Sequence, residues 1–244
     1  MNFLRDKVIV ITGTSSGLGE QLAYLFAKNK AKLCLMGRDK IRLNKVSENI
    51  IKKGGDRPLI VPIDIKKISQ IKKGVRKIID AFGEIDILVN NAGVYGEGAI
   101  EEIPVKLIKD IFQTNVLGLI YLTQILLPRI KRGGYIINIL SKSVFSPKSH
   151  IAVYAASKHA VSGLNQNLRQ ELIEKGIRLT EVYPGKMKTA MLSHSKEFST
   201  FLSPKEVAKI IVKIVNIPQN ICVESVTIGR FYSKDQKDQN ERKN

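Results

Sequence analysis

Seven short apolar runs recur along this chain of 244 residues, and each is separated from the next by a longer helical pattern. The runs are 7–12 (KVIVIT), 32–36 (KLCLM), 58–63 (PLIVPI), 86–90 (DILVN), 135–140 (YIINIL), 177–183 (IRLTEVY) and 221–228 (ICVESVTI). They are continuously apolar and β-branched rather than alternating, as expected of strands covered on both faces. Helical patterns fill 18–29, 39–53, 66–82, 104–130, 152–175 and 204–215. Strand–helix alternation of this kind predicts an α/β fold, a doubly wound parallel sheet of about seven strands with helices on both faces. Right-handed crossovers leave few topologies. A hydrophobic content of 43% supplies a core. No linker interrupts the pattern, so one domain is expected over 1–232, with a polar, frayed tail at 233–244.

Composition narrows the function classes. The start runs through Arg5, Asp6 and Lys7 straight into a strand, which reads as no signal peptide. No run is expected to span a membrane. Cys34 and Cys222 sit in apolar runs without metal-ligand spacing and read as buried free thiols in a reducing, cytoplasmic setting. The histidines at 150, 159 and 194 form no cluster, so no metal is expected. The net charge of +18 raises nucleic acid or an acidic surface as a partner. The excess is diffuse, however, with ten basic against three acidic residues between Lys28 and Arg57, and no nucleic-acid module accompanies it. A solvated lysine-rich surface, with no specific nucleic-acid partner, is the expectation.

The first strand leads into TGTSSGLGE, residues 12–20, which places Gly13, Gly17 and Gly19 between a strand and a helix. Glycines there permit positive φ and close approach of a ligand. The next helix offers free N–H groups and its positive dipole end to a pyrophosphate. In this context the loop reads as a dinucleotide site on a Rossmann-like sheet. Further on, YAASK puts Tyr154 and Lys158 four residues apart, one above the other on a helix face. An isolated pair of this kind is ordinary amphipathic-helix sequence.

The set is not isolated. The glycine spacing, NNAG at 90–93, Asn115 in FQTNVLG, Ser141 thirteen residues before Tyr154, YAASK, and YPGKMKT at 183–189 occur in order. Together they resemble the short-chain dehydrogenase/reductase family over roughly residues 5–230. The ending VTIGRFYS departs from the "DGG"-like stretch of many members and looks more like the branch acting on small hydroxy acids, amino-alcohols and assorted carbonyls.

The resemblance implies a hydride-transferring oxidoreductase that interconverts a carbonyl and a secondary alcohol. Tyr154 would be the general acid/base, and Lys158, together with the oxidised nicotinamide, would lower its pKa from near 10. In the family, the lysine also holds the nicotinamide ribose. Ser141 would polarise the substrate carbonyl, and Asn115 would hold a relay water. Taken singly, Ser141 also reads as a strand-end cap and Asn115 as a buried helix amide. The implied cofactor residues are Gly13, Ser15, Ser16, Gly17, Leu18, Gly19, Arg38, Asp64, Ile65, Asn91, Ala92, Gly93, Tyr154, Lys158, Pro184, Gly185, Met187 and Thr189. The small residues Ala155, Ala156 and Ser157 would let the cofactor lie against the helix.

The second strand ends in GRD, where an NAD enzyme would carry an acid. Arg38 suits a 2′-phosphate by fork geometry, so NADP(H) is expected, although Asp39 could turn inward. The expected substrate is a small carbonyl or alcohol; Lys142, Lys148, Lys186 and Lys188 read either as part of the general basic surface or as a positive entrance that would favour an anionic one. Residues 186–203 should form a modest lid. The resemblance also implies a homodimer or homotetramer. A non-catalytic NADP(H) sensor or scaffold on the same fold is the alternative.

Overall fold

The computed structural model describes residues 2–195 and 197–231. Seven parallel strands form one sheet: β1 (Val8–Thr12), β2 (Lys32–Gly37), β3 (Leu59–Pro62), β4 (Ile85–Asn90), β5 (Ile130–Ile139), β6 (Arg178–Pro184) and β7 (Ser225–Ile228). Their order is β3-β2-β1-β4-β5-β6-β7, so the chain reverses direction across the sheet between β1 and β4. The Rossmann-like doubly wound reading therefore holds. The expected tail at 233–244 lies outside the described residues.

Successive residues of β1 show why these runs are continuously apolar. Ile9 and Ile11 enter one core, while Val8 and Val10 enter the other. The first core is closed by α1 (Gly17–Lys28), α2 (Lys40–Lys52) and α7 (Pro204–Val215), through Leu22, Phe26, Leu43, Val207 and Ile211. The second is closed by α3 (Ile68–Phe82), α5 (Leu119–Leu126) and α6 (Ala152–Glu174), through Ile71, Ile78, Leu122, Leu126 and Leu172. Local signals set the helix ends. Asp39 accepts the Arg42 amide at 3.0 Å to cap α2, and Pro204 opens α7 with its φ already helical.

Three expectations are corrected. The single helix expected over 104–130 is α4 (Val105–Phe112), a π-helical turn (Gln113–Gly118) and α5 in succession. The wide turn rotates Thr114 and Asn115 into the protein. By length and composition alone, the stretch Val105–Arg129 is apolar enough to cross a membrane, contrary to expectation; here its buried face, with Leu122 and Leu126 fully enclosed, covers the sheet. Second, β5 begins at Ile130 rather than 135, because a register shift against β4 absorbs Lys131–Gly134. Third, β7 starts only at Ser225, so Cys222 lies before the strand and is exposed, while Cys34 is buried.

Candidate active site

Residues 13–16 turn at the carboxyl edge of the sheet between β1 and α1. Gly13 and Gly17 both take left-handed φ, 68° and 62°. Gly19 answers a different demand: a methyl there would lie 2.3 Å from the Gly13 carbonyl oxygen and 2.5 Å from Asn91 Nδ2. Asn91 locks the turn from the end of β4, donating to the Thr12 and Gly13 carbonyls at 2.9 and 3.1 Å. Thr12 Oγ1 accepts the Asn91 and Ala92 amides, both at 2.9 Å. The Ser16 side chain caps none of the first amides of α1, which are left to an anion at the positive helix end.

Fifteen of the expected cofactor residues line one cleft of about 270 Å³: Gly13, Ser15, Ser16, Gly17, Leu18, Arg38, Asp64, Ile65, Asn91, Ala92, Gly93, Tyr154, Lys158, Met187 and Thr189. Three do not. Gly19 lies behind the loop, where it permits the packing just described, and Pro184 and Gly185 line a neighbouring cavity. The sequence reading missed Met36, Gly37, Ile63, Val94, Thr114, Ile139, Leu140, Ala190 and Met191 on the cleft wall. Met36, Ile63 and Ile139 sit at the carboxyl ends of strands, where the binding-edge rule could have found them. Ala155–Ser157 do not line the cleft. Ser157 is fully buried, because its face of α6 turns towards Asn115.

A dinucleotide fits these residues. Arg38 is exposed on the cleft wall. Asp39 is turned away, capping α2 and pairing with Arg42 Nε at 3.3 Å, so no carboxylate from this turn opposes a phosphate. A methyl built on Gly93 would meet only Asn115 Oδ1 at 3.4 Å and Lys158 Nζ at 3.7 Å.

Tyr154 and Lys158 lie one turn apart in α6, as their spacing requires. Lys158 is buried and donates to the Ile139 carbonyl at 2.9 Å, with its ammonium 5.9 Å from the Tyr154 ring centre. Burial lowers its pKa to about 8. Burial also raises the Tyr154 phenol above its ordinary value, and a hydrogen bond with Ser141 offsets only part of this. In the cofactor-free protein burial sets this direction, whereas the lowering expected from Lys158 together with oxidised nicotinamide concerns the loaded site. Asn115 accepts the Val94 amide at 2.7 Å and donates to the Val94 carbonyl and Ser157 Oγ at 2.9 and 3.0 Å. Ser157 in turn donates to the Tyr154 carbonyl at 2.6 Å. One amide thus ties the loop after β4 to the helix that carries the tyrosine. Ser141 Oγ also accepts from Ser143 N and Oγ, at 3.2 and 3.0 Å, at the start of a short 3-10 turn.

A second cavity, of about 360 Å³, opens beside Tyr154 and Ser141. Tyr95, which the sequence reading missed, packs edge-on against Tyr154 at 5.0 Å between ring centres and donates to Glu97 at 2.7 Å. It belongs to no motif, and only its place after NNAG hints at it. The segment expected to form a lid is tied by backbone bonds. Lys188 N donates to Leu202 O and Leu202 N to Lys186 O, both at 2.9 Å. Lys186 pairs with Glu197 at 2.9 Å, and His194 meets Glu97 at 3.3 Å across the mouth. Lys142, Lys148 and Lys186 line the cavity; Lys188 does not.

A buried polar chain runs beneath the site. Asn90 donates to Asn138 at 2.9 Å, Asn138 to Asn165 at 2.7 Å, and Asn165 to Glu181 at 3.0 Å. It links β4, β5, α6 and β6.

Residues 7–199 match the family model described as short chain dehydrogenase. An uncharacterized oxidoreductase of Staphylococcus saprophyticus is 34% identical over 232 residues, covering 92% of this chain and 97% of the relative. A 3-ketoacyl-(acyl-carrier-protein) reductase from Brucella melitensis, solved with NADH, has a TM-score of 0.84 and 30% identity over 92% of this chain and 97% of its own. An alcohol dehydrogenase from Thermococcus sibiricus, complexed with 5-hydroxy-NADP, has a TM-score of 0.85 and 25% identity over 93% and 99%. The chain is an oxidoreductase of the short-chain dehydrogenase family.

Proposed function

We propose that the protein is an NADP(H)-dependent oxidoreductase that interconverts a carbonyl and a secondary alcohol, with Tyr154 as general acid and base. One observation carries this reading: Tyr154 lines both the dinucleotide cleft and the adjoining cavity, and Ser141 and Lys158 flank it. When bound, NADP(H) supplies or accepts the hydride. Tyr154 gives its proton to the carbonyl oxygen in reduction and takes it back in oxidation. Ser141 orients that oxygen by hydrogen bonding. Lys158, anchored on Ile139, holds the cofactor side of α6 and shapes the field at the phenol.

The raised Tyr154 pKa keeps the proton in place through neutral pH, which favours carbonyl reduction. Alcohol oxidation needs the deprotonated oxygen and should accelerate as pH rises. NADP(H) is preferred over NAD(H) because Gly37 and Arg38 stand where a ribose-binding acid would otherwise be, with Asp39 committed to its cap. The same proposal includes a cytoplasmic location and a homodimer or homotetramer formed through the α4–α5 and α6 surfaces, where Leu117 and Ile173 are exposed.

The test is a carbonyl panel assayed with NADPH and NADH by nicotinamide absorbance, on the wild type and on Tyr154→Phe. The variant should lose about 10²- to 10⁴-fold in kcat, the usual worth of a positioned acid, and still bind NADPH. Retained turnover would refute the role given to Tyr154.

A further inference from the structure

We infer that the substrate is an oxo acid whose carboxylate is held by Lys142 and Lys148. This assignment rests on the reductase reading above and adds the substrate class to it. Three lysines and one carboxylate face the cavity beside Tyr154: Lys142, Lys148, Lys186 and Glu97. Two of these charges are already satisfied. Glu97 accepts from Tyr95 and meets His194, and Lys186 pairs with Glu197. Among the described residues, neither Lys142 nor Lys148 has an ion pair.

Both lysines are exposed, and both border the cavity beside Tyr154. The Lys142 ammonium reaches the backbone after β7, 3.5 Å from where a methyl on Gly229 would be. Lys148 is held below its ordinary pKa by burial first, and then by the positive charges of Lys186 and Lys142; Glu197 offsets only part of this. Like charges crowded on one wall of a cavity repel one another, and an anion entering between them relieves that repulsion. Lys142 and Lys148 line the same cavity as Ser141 and Tyr154, so an anion held by the lysines shares that cavity with the carbonyl that Ser141 and Tyr154 address. The lining also includes Leu140, Ile151, Met191 and Leu192, beside Ser143, Ser146, Ser149 and Thr189, and suits an aliphatic or aromatic body that carries a polar group.

Benzoylformate and its methyl ester form a suitable pair, differing in charge next to the same ketone. Their kcat/KM ratio should fall by about tenfold or more in Lys142→Met/Lys148→Met, as expected when a charged contact is lost. Taking the change in ratio cancels the intrinsic difference in electrophilicity. Lys142→Arg/Lys148→Arg should restore the preference for the acid, which a folding defect would not do. Added salt should lower the wild-type ratio. An unchanged ratio in the methionine variant overturns the assignment. Calorimetric binding of benzoate to the NADPH-loaded protein reads the same site without turnover: weaker binding in the methionine variant supports the assignment, and equal binding overturns it. If neither ketone is reduced while benzoate binds through the two lysines, the reductase reading fails and the anion site stands. If both ketones are reduced at an unchanged ratio, the reverse holds.

Discussion

The two halves of the site are held by different physics. On the cofactor side, backbone meets backbone: Gly19 leaves no room for a methyl beside Gly13, and Asn91 and Thr12 bond main-chain groups of the turn. On the substrate side, backbone bonds between Lys186–Lys188 and Leu202 hold the base of the segment, but the contacts across the mouth are between side chains: Lys186 with Glu197, Glu97 with His194, and Tyr95 with Tyr154. Backbone constraints admit few residue types, whereas exposed ion pairs can be exchanged at little cost. The first half can therefore stay fixed while the second is retuned for a different substrate.

The sharpest way to break this comparison is Gly19→Ala. The added methyl forces the loop or Asn91 to shift, at about 2–3 kcal/mol, as overpacking usually costs. NADPH affinity should fall by at least the tenfold that about 1.4 kcal/mol represents. The same change at Gly163, where nothing lies within 4 Å, should instead stabilise α6 by about 0.5–1 kcal/mol. Equal melting shifts for the two variants would show that the loop is not rigid.

Next in size, Arg38→Glu should shift the NADPH/NADH ratio of kcat/KM towards NADH by more than about tenfold, since a charged phosphate contact is worth about 1.5–3 kcal/mol. Equal use of both cofactors by the wild type would remove Arg38 from this role.

Lys158→Met separates stability from function within the cofactor half. The folded-state pKa of about 8 lies below the ordinary lysine value, so folding disfavours the ammonium. Below about pH 8 both folded and unfolded chains carry the charge, and the full burial cost is present. Between about pH 8 and 10.5 the folded form sheds the proton first and the cost fades. At pH 7 the cofactor-free variant should gain about 1–2 kcal/mol in denaturant unfolding, net of the lost bond to Ile139, while losing NADPH affinity. The gain should shrink as the pH is raised across that window. A gain independent of pH would contradict a buried charge.

The smallest effect belongs to the substrate half. Glu97→Gln removes the carboxylate from an exposed contact with His194 and keeps an oxygen to accept from Tyr95, a change worth about 0–1 kcal/mol, so KM for a neutral ketone should move by no more than about fivefold. A much larger loss would show that this mouth is as constrained as the glycine turn.

The same contrast governs what could be read from sequence. The strands were legible because burial on both faces leaves an unbroken apolar run, and the glycine turn because its residue types have no substitutes. The π-helical turn at 113–118 was not, since one extra residue per turn barely disturbs a helical pattern. Nor was the start of β5, because Lys131, Arg132 and two glycines do not look like a strand. Tyr95 and the Glu97–His194 contact escaped because residues 97 and 194 meet only through the fold. The burial that raises the Tyr154 pKa in the cofactor-free protein was not legible, because spacing shows a neighbour's charge but not how deeply both groups are buried. Lys142 and Lys148 could be placed at the cavity by their positions beside Ser141 and before Tyr154. That Lys186 is neutralised by Glu197 and Lys188 faces elsewhere could not.

The chain of Asn90, Asn138, Asn165 and Glu181 has a consequence for how the molecule assembles. Its links join residues 48, 27 and 16 positions apart, on four different elements. A partly assembled sheet that buried Asn138 without α6, or Asn165 without β6, would trap an unpaired amide at a cost of about 1–3 kcal/mol. A one-residue slip of β5 would turn Asn138 to the opposite face and break two links at once. The chain therefore acts as a proofreading device in folding: it adds little to the finished structure that an apolar packing could not supply, but it penalises each incomplete or misregistered intermediate. The carboxyl half of the sheet should accordingly form in one concerted, late step governed by long-range contacts.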